Sequence, residues 1–286
     1  MVKEYRWRVA VRSYEGDAWG FTPTSAVLRY FEQTAVEGAA NLGFGDEFHR
    51  EHNSAWIVRR MNMVMHRPAR QGAGLEIVTW ASHFGKARGG REYRILDGDS
   101  GESLYSGYTE WVYVNRQTLS PMAVPGEVAA VFDVPGAPLG SYEPPEVEPS
   151  PEPRRFEVER TAEWHELDSL GHVNNAVYAD WLDDALKSAM EAMGLDVGGL
   201  KERGLHLRGE YYSLNYKRAA MQGDGLRIST GIEGISGRLW AVRQSVATAT
   251  GEELLAASSV HGWRDGAGEP AHEPAVSLPV PATTKE

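Results

Sequence analysis

Slid against itself by 151 positions, this chain of 286 residues meets its own pattern again. Glu15 falls on Glu166, Asp17 on Asp168, Gly20 on Gly171, Arg67 on Arg218, Leu75 on Leu226, Ile77 on Ile228 and Thr79 on Thr230, all without a gap. With small insertions, Gly101-Glu102 answers Gly251-Glu252 and Trp111 answers Trp263. An internal register of this kind marks a tandem duplication, so the chain must fold as two versions of one unit.

Each copy reads as one long helix followed by strands. From Val177 onward, Tyr178, Trp181, Leu182, Ala185, Leu186, Ala189, Met190 and Met193 recur with a 3.6-residue period, and Gly194 stands where a helix would stop. Leu28, Phe31, Ala35, Ala39 and Leu42, closed by Gly43, repeat that pattern in the first copy. Ahead of it, Tyr5, Trp7, Val9 and Val11 alternate as one face of a strand. Further strand signals run from Trp56 to Met65, Leu75 to Ser82, Arg91 to Leu96 and Leu104 to Val114. Their counterparts are Glu210 to Tyr216, Leu226 to Ile232, Leu239 to Ala249 and Leu254 to Trp263. One helix with consecutive strands predicts an antiparallel sheet curled round the helix, an α+β design.

Nine of the fifteen prolines lie between residues 121 and 153, and a proline-dense acidic run reads as a stiff, extended crossover because it cannot pair in a sheet. The expected layout is a first copy over 1–125, a linker over 126–154, a second copy over 155–264 and a disordered tail over 265–286. No apolar run approaches the ~20 residues of a membrane span. The opening Met-Val-Lys-Glu-Tyr-Arg-Trp-Arg has no apolar signal core, so the cytoplasm is the expected compartment.

The absence of cysteine excludes disulfides, thiolate metal sites and a Cys nucleophile. A net charge of −11 argues against nucleic acid as a partner. Residues 50 to 94 run the other way, with nine Lys or Arg against three Glu. They are either solvated strand faces or a landing site for an acidic carrier or for phosphates, with Arg59, Arg60, Arg67 and Arg88 as candidates. His49 and His52 with Glu51 lack a fourth ligand in sequence, so no metal is expected. There is no Gly-x-Ser-x-Gly elbow and no phosphate-binding glycine loop, and no cofactor is implied.

The chemistry concentrates in the loop before the second helix. Asp168, Gly171, His172, Asn174 and Asn175 bring a carboxylate and an imidazole to the positive end of that helix. One reading is a capped loop, with Asn174 or Asn175 as the cap and Asp168 and His172 as a surface pair. The other is a reactive site, in which helix N–H groups polarise a carbonyl while Asp168 attacks it or activates water. Trp56, Met61, Met63 and Met65 lie along one expected strand and would line either an acyl tunnel or the core.

Asp168-x-x-Gly171-His172-Val173-Asn174-Asn175-x-x-Tyr178 resembles the signature of hotdog-fold thioesterases. The whole chain looks most like the acyl-ACP thioesterase family, tandem hotdogs that hydrolyse acyl groups from acyl carrier protein. Trp56-Ile57-Val58-Arg59-Arg60, Ile77-Val78-Thr79-Trp80 and Trp111-Val112-Tyr113-Val114-Asn115 add to the likeness. The resemblance implies a double hotdog, each copy a long helix wrapped by a curved sheet. It puts the family's catalytic Asp on Asp168 and its His on His172, with the thioester near the N–H groups of Gly171, His172 and Val173. Asn174 would position water or thioester.

Two members of the plant enzymes' set fail: their Asn falls on Leu170 and their Glu on Ala219. The first copy keeps Asp17 as a weaker candidate but has Phe21, Pro23 and Thr24 where His172, Asn174 and Asn175 stand, so it is expected to shape the acyl pocket instead. The implied partner is acyl carrier protein or, as an alternative, a coenzyme A thioester. A non-catalytic acyl-binding module is the rival from another class, and a homodimer is left open.

Overall fold

The computed structural model describes residues 3–132 and 142–273. The first half runs β1 (Tyr5–Ala10), α1 (Thr24–Ala40), α2 (Asp46–Glu51), β2 (Ser54–Met65), β3 (Gly74–Phe84), β4 (Arg88–Asp97), β5 (Ser103–Asn115) and α3 (Gly126–Phe132). The second runs β6 (Arg154–Thr161), α4 (Val177–Ala192), α5 (Val197–Glu202), β7 (His206–Tyr216), β8 (Gly225–Ser236), β9 (Leu239–Thr248) and β10 (Glu253–Arg264).

The described strands form one antiparallel sheet in the order β1-β3-β4-β5-β2-β7-β10-β9-β8-β6. Read outward from its middle, both halves give the same sequence of strands. The seam is the pairing of β2 with β7, from Arg60 opposite Asn215 to Val64 opposite Tyr211. The duplication therefore folds into one sheet with two long helices, and Arg29 on α1 meets Asp180 on α4 at 2.9 Å. This is the double-hotdog arrangement expected from the resemblance, one long helix in each half on a shared antiparallel sheet.

The apolar stripes of α1 and α4 face the sheet. Phe31 stacks on Tyr93 of β4 with ring centroids 4.5 Å apart, and Leu28, Leu182, Met61, Met63 and Leu214 are fully or almost fully buried around them. The close approach requires Gly107 on β5, because a Cβ there would lie 2.3 Å from the Phe31 ring. Helix α1 ends at Ala40, shortly before the Gly43 read as its stop, which takes φ +93°.

Several elements escape sequence reading. Strand β6 offers only Phe156 and Val158 on an edge otherwise made of charges, and α2, α3 and α5 are too short to show a period. The match of Trp111 with Trp263 is corrected by the ladders: Gly89 pairs with Trp111 as Trp240 pairs with His261, so His261 is the counterpart of Trp111.

The proline-rich segment is not simply extended. It opens with α3, whose Val128 and Phe132 are buried against the first half, and residues 133–141 lie outside the described residues. Residues 265–273, expected to be disordered, turn back at Asp265 and bridge Pro270 to Arg264, because Asp265 Oδ1 accepts the N–H groups of Ala267 and Glu269. The rest of the expected tail, 274–286, lies outside the described residues.

Candidate active site

The loop before α4 is held from beneath. Glu166, in a short 3₁₀ turn and buried, accepts the indole N–H of Trp181 on α4 at 2.8 Å and a guanidinium N–H of Arg160 at 2.5 Å. That anchor fixes the start of a tight reversal. Asp168 N–H donates to His172 O at 2.9 Å, Gly171 N–H donates to Asp168 O at 3.0 Å, and Gly171 takes φ +82°, which favours glycine. Asp168 Oδ1 accepts from Leu170 N–H at 2.8 Å. Its Oδ2 lies 3.1 Å from His172 Nδ1, an ion-pair distance whose angle is too bent for a hydrogen bond, so that ring nitrogen has no aligned partner among the described residues. Burial lowers the His172 pKa, but Asp168 and neighbouring carbonyls outweigh it and the net shift is upward.

Asn174 Oδ1 accepts the Ala176 N–H at 3.0 Å, an Asx turn leading into the helix rather than a cap at its first turn. With that oxygen used, Asn174 Nδ2 points across the seam between halves and donates to Glu32 of α1 at 3.1 Å. Asn175 Nδ2 donates to the same carboxylate at 2.9 Å. Burial raises the Glu32 pKa and the charge of Asp168 adds to it, while the two amides and Arg29 oppose.

Glu32 lines a cavity of about 340 Å³ formed mainly by residues of the first half. Ser169 and Leu170 of the second-half loop close one side of it, Trp56 and Trp111 form walls, and Phe132 lines it from α3. Arg91 is its buried cation, 5.3 Å from the Phe132 ring, and desolvation lowers its pKa. The matched positions of the two halves explain why the space exists on one side: Ala35, Ala39, Ala81 and Gly89 line it, whereas Leu186, Met190, Ile232 and Trp240 fill the equivalent region with a buried cluster.

The first-half loop repeats the backbone without the chemistry. Asp17 N–H donates to Phe21 O at 2.7 Å, Asp17 Oδ1 accepts from Trp19 N–H at 2.9 Å, and Gly20 takes φ +78°. Its Oδ2, however, is bound by the guanidinium of Arg208 on β7, which also donates to Thr22 O at 3.0 Å. Phe21 and Trp19 pack on His206, with centroids 5.3 and 5.5 Å away. Asp17 is thus an ion-pair partner, not a free carboxylate.

The structure brings together Asp168, Gly171, His172 and Asn174, and it puts Trp56 in the cavity wall. It corrects other expectations. Met61 and Met63 are buried and do not line the cavity, because they pack into the core cluster with Leu28, Phe31 and Leu182. The Val173 N–H is spent on Ala220 O at 2.9 Å and that of Gly171 on Asp168 O, so neither is free for a substrate oxygen. Arg59 is the bulged residue of β2 and turns to Asn215 and to the carbonyl of Tyr216 at the seam, which removes it from any carrier-facing surface. Arg67 and Arg88 remain half-exposed but engage Glu102 at 3.1 Å and Glu110 at 3.0 Å, while Arg60 is exposed. The residue missed from sequence is Glu32. Its one signal was the 151-residue register, which pairs it with Asp183 on the other helix.

Comparison with known proteins agrees with both halves. Residues 2–132 match the family model for the acyl-ACP thioesterase N-terminal domain, and residues 162–279 match that of the thioesterase-like superfamily. A chloroplastic acyl-(acyl carrier protein) hydrolase of Cuphea viscosissima is 28% identical over 190 residues, covering 62% of this chain and 46% of that protein. The chain spans about half the length of the curated relatives it matches. Among solved structures, one from Lactobacillus plantarum provisionally assigned as an oleoyl thioesterase superposes with a TM-score of 0.74 at 18% identity, covering 91% of this chain and 96% of the other. The 12:0-ACP thioesterase of Umbellularia californica gives 0.69 at 21% identity, covering 92% and 97%. The first half thus matches the N-terminal domain of acyl-ACP thioesterases, the second matches the wider thioesterase-like superfamily, and the fold is shared with solved thioesterase structures along nine-tenths of the chain.

Proposed function

We propose that this protein hydrolyses fatty acyl thioesters, with acyl carrier protein as the preferred carrier and coenzyme A as the second. The observation that carries the reading is the apolar cavity of the first half ending at the carboxylate–imidazole loop of the second. The acyl chain occupies the cavity and its thioester lies at the mouth, beside Ser169 and Leu170. The His172 and Asn175 N–H groups, which have no acceptor among the described residues, are the available donors for the oxyanion.

Asp168 acts as nucleophile on the carbonyl carbon, and His172, whose pKa is raised, protonates the departing sulfur. Coenzyme A keeps its place as an alternative because Arg59 is unavailable and Arg67 and Arg88 are already paired, which weakens the case for a surface dedicated to a carrier protein. No described helix is long and apolar enough to cross a membrane.

The test is thiol release from acyl-ACP and acyl-CoA panels by wild type, Asp168→Asn and Asp17→Asn. Asp168→Asn is expected to lose about 10²–10³-fold in kcat, and Asp17→Asn to retain it. Wild type that binds acyl thioesters yet releases no thiol from any of them would favour a binding module instead.

A further inference from the structure

Of the two carboxylates that meet at the loop, Glu32 and not Asp168 lines the cavity. Asp46, at another part of the rim, is engaged by Arg50 and Arg116. A carboxylate on the buried edge of an apolar helix is costly unless hydrogen bonds hold it. Glu32 is held by two donated amides, from Asn174 and Asn175, and both come from the half of the chain that carries Asp168. The orientation of Asn174 is fixed because its oxygen is committed to Ala176 N–H. Fixed donors on one side leave the carboxylate facing the lumen, where water would enter.

Resting on the hydrolase reading above, we infer that Glu32 is the general base that activates the hydrolytic water, a catalytic residue lent by the first half to the site of the second. Attack of Asp168 on the thioester breaks the C–S bond, and the thiolate leaves with a proton from His172. The acyl group is then held as an anhydride on Asp168. Glu32 removes a proton from water as the water oxygen bonds to the acyl carbon. The bond from that carbon to the Asp168 oxygen breaks, which frees the fatty acid and regenerates the Asp168 carboxylate. Glu32 returns its proton to solvent and His172 takes one up from solvent, which restores both groups for the next turnover.

The electrostatic setting supports this role. Burial and Asp168 raise the Glu32 pKa, against Asn174, Asn175 and Arg29, which makes the carboxylate a stronger base. Tyr93 of β4 and Tyr216 of β7 also face it, both with pKa values raised by burial.

The experiment is pre-steady-state thiol release with acyl-ACP or acyl-CoA, comparing wild type, Glu32→Gln, Asp168→Asn and, as a control outside the cavity lining, Glu37→Gln, whose carboxylate accepts from Tyr5. Glu32→Gln is expected to release about one thiol per chain in a burst and then to turn over roughly 10²-fold or more slowly. Hydroxylamine, which opens an anhydride without a base, should restore its turnover as acyl hydroxamate. Wild-type turnover by Glu32→Gln, or loss of its burst, would overturn the assignment while leaving the hydrolase reading intact. Wild-type activity in Asp168→Asn would remove Asp168 as the nucleophile, and absence of thiol release by wild type from every substrate would sink the hydrolase reading itself.

Should Glu32→Gln fail to fold, Asn175→Ala gives an independent check. Removing one amide donor raises the Glu32 pKa further, so the acidic limb of the kcat profile moves to higher pH. A limb that stays in place counts against Glu32.

Discussion

The loops at Asp17 and Asp168 share a backbone and differ in what their second carboxylate oxygen touches. Both fold on an Asp whose Oδ1 takes the N–H two residues on and a glycine at positive φ. In one loop Oδ2 meets an arginine that never loses its charge, and in the other a histidine that does. The acids at matching positions of the two long helices diverge in the same way. Asp183 is taken by the Tyr212 hydroxyl at 2.5 Å, and burial pushes its pKa up to about 6, whereas Glu32 opens on a cavity. Duplication preserved the scaffold and let one copy become structure while the other kept reactive groups.

The largest effect that would break this comparison lies in the first loop. Asp17→Asn leaves Arg208, itself buried, without its carboxylate and should cost about 3 kcal/mol in urea unfolding with little change in kcat. Adding Arg208→Ile, which installs the type of residue found at the matching Ile57, should recover most of that loss. If Asp17→Asn instead abolished turnover in a folded protein, the two loops would have to be considered equivalent in chemistry.

A smaller effect sharpens the contrast in volume. Ala39→Met copies Met190 into the cavity wall and should shift preference toward shorter acyl chains, by roughly 4-fold in kcat/KM per methylene excluded, since a buried methylene is worth about 0.8 kcal/mol. Competition assays with mixed chain lengths would read it directly. An unchanged profile would place the acyl chain elsewhere.

The smallest effect concerns pH. His206, buried against Phe21 and Trp19, is held near a pKa of about 4 by desolvation and by Arg208. Since its folded pKa lies below the ordinary value of 6.5, the unfolded chain binds the extra proton between those limits. Stability should therefore fall as pH drops from about 6.5 to about 4, and His206→Phe should flatten that part of the curve. His261, lowered to about 3 by burial, would keep a residual slope in the variant.

Much of this molecule is legible in its sequence because a duplication states each feature twice. The two long helices, most strands and the Asp168–His172 loop follow from periodicity and register. Even the cavity has a trace: small Ala35, Ala39, Ala81 and Gly89 face large Leu186, Met190, Ile232 and Trp240 at matched positions. Three things were hidden for physical reasons. Glu32 sits in an apolar helical stripe and finds its partners 142 and 143 residues away, a contact that no local pattern encodes. The β2 bulge turns Arg59 inward, which alternation along a strand cannot foresee. The Val173 amide is consumed by a bridge to the loop after β7 that only the fold creates.

The seam between β2 and β7 has a consequence for stoichiometry. Two identical subunits joined in this way would carry two identical sites, and any change to one would be forced on the other. Because a single chain encodes both sides, a departure from symmetry at Arg208, Phe21 or Ala39 needs no matching departure elsewhere. A tight, non-hydrolysable thioester should accordingly saturate at one equivalent per chain, with a hyperbolic isotherm and no communication between neighbours.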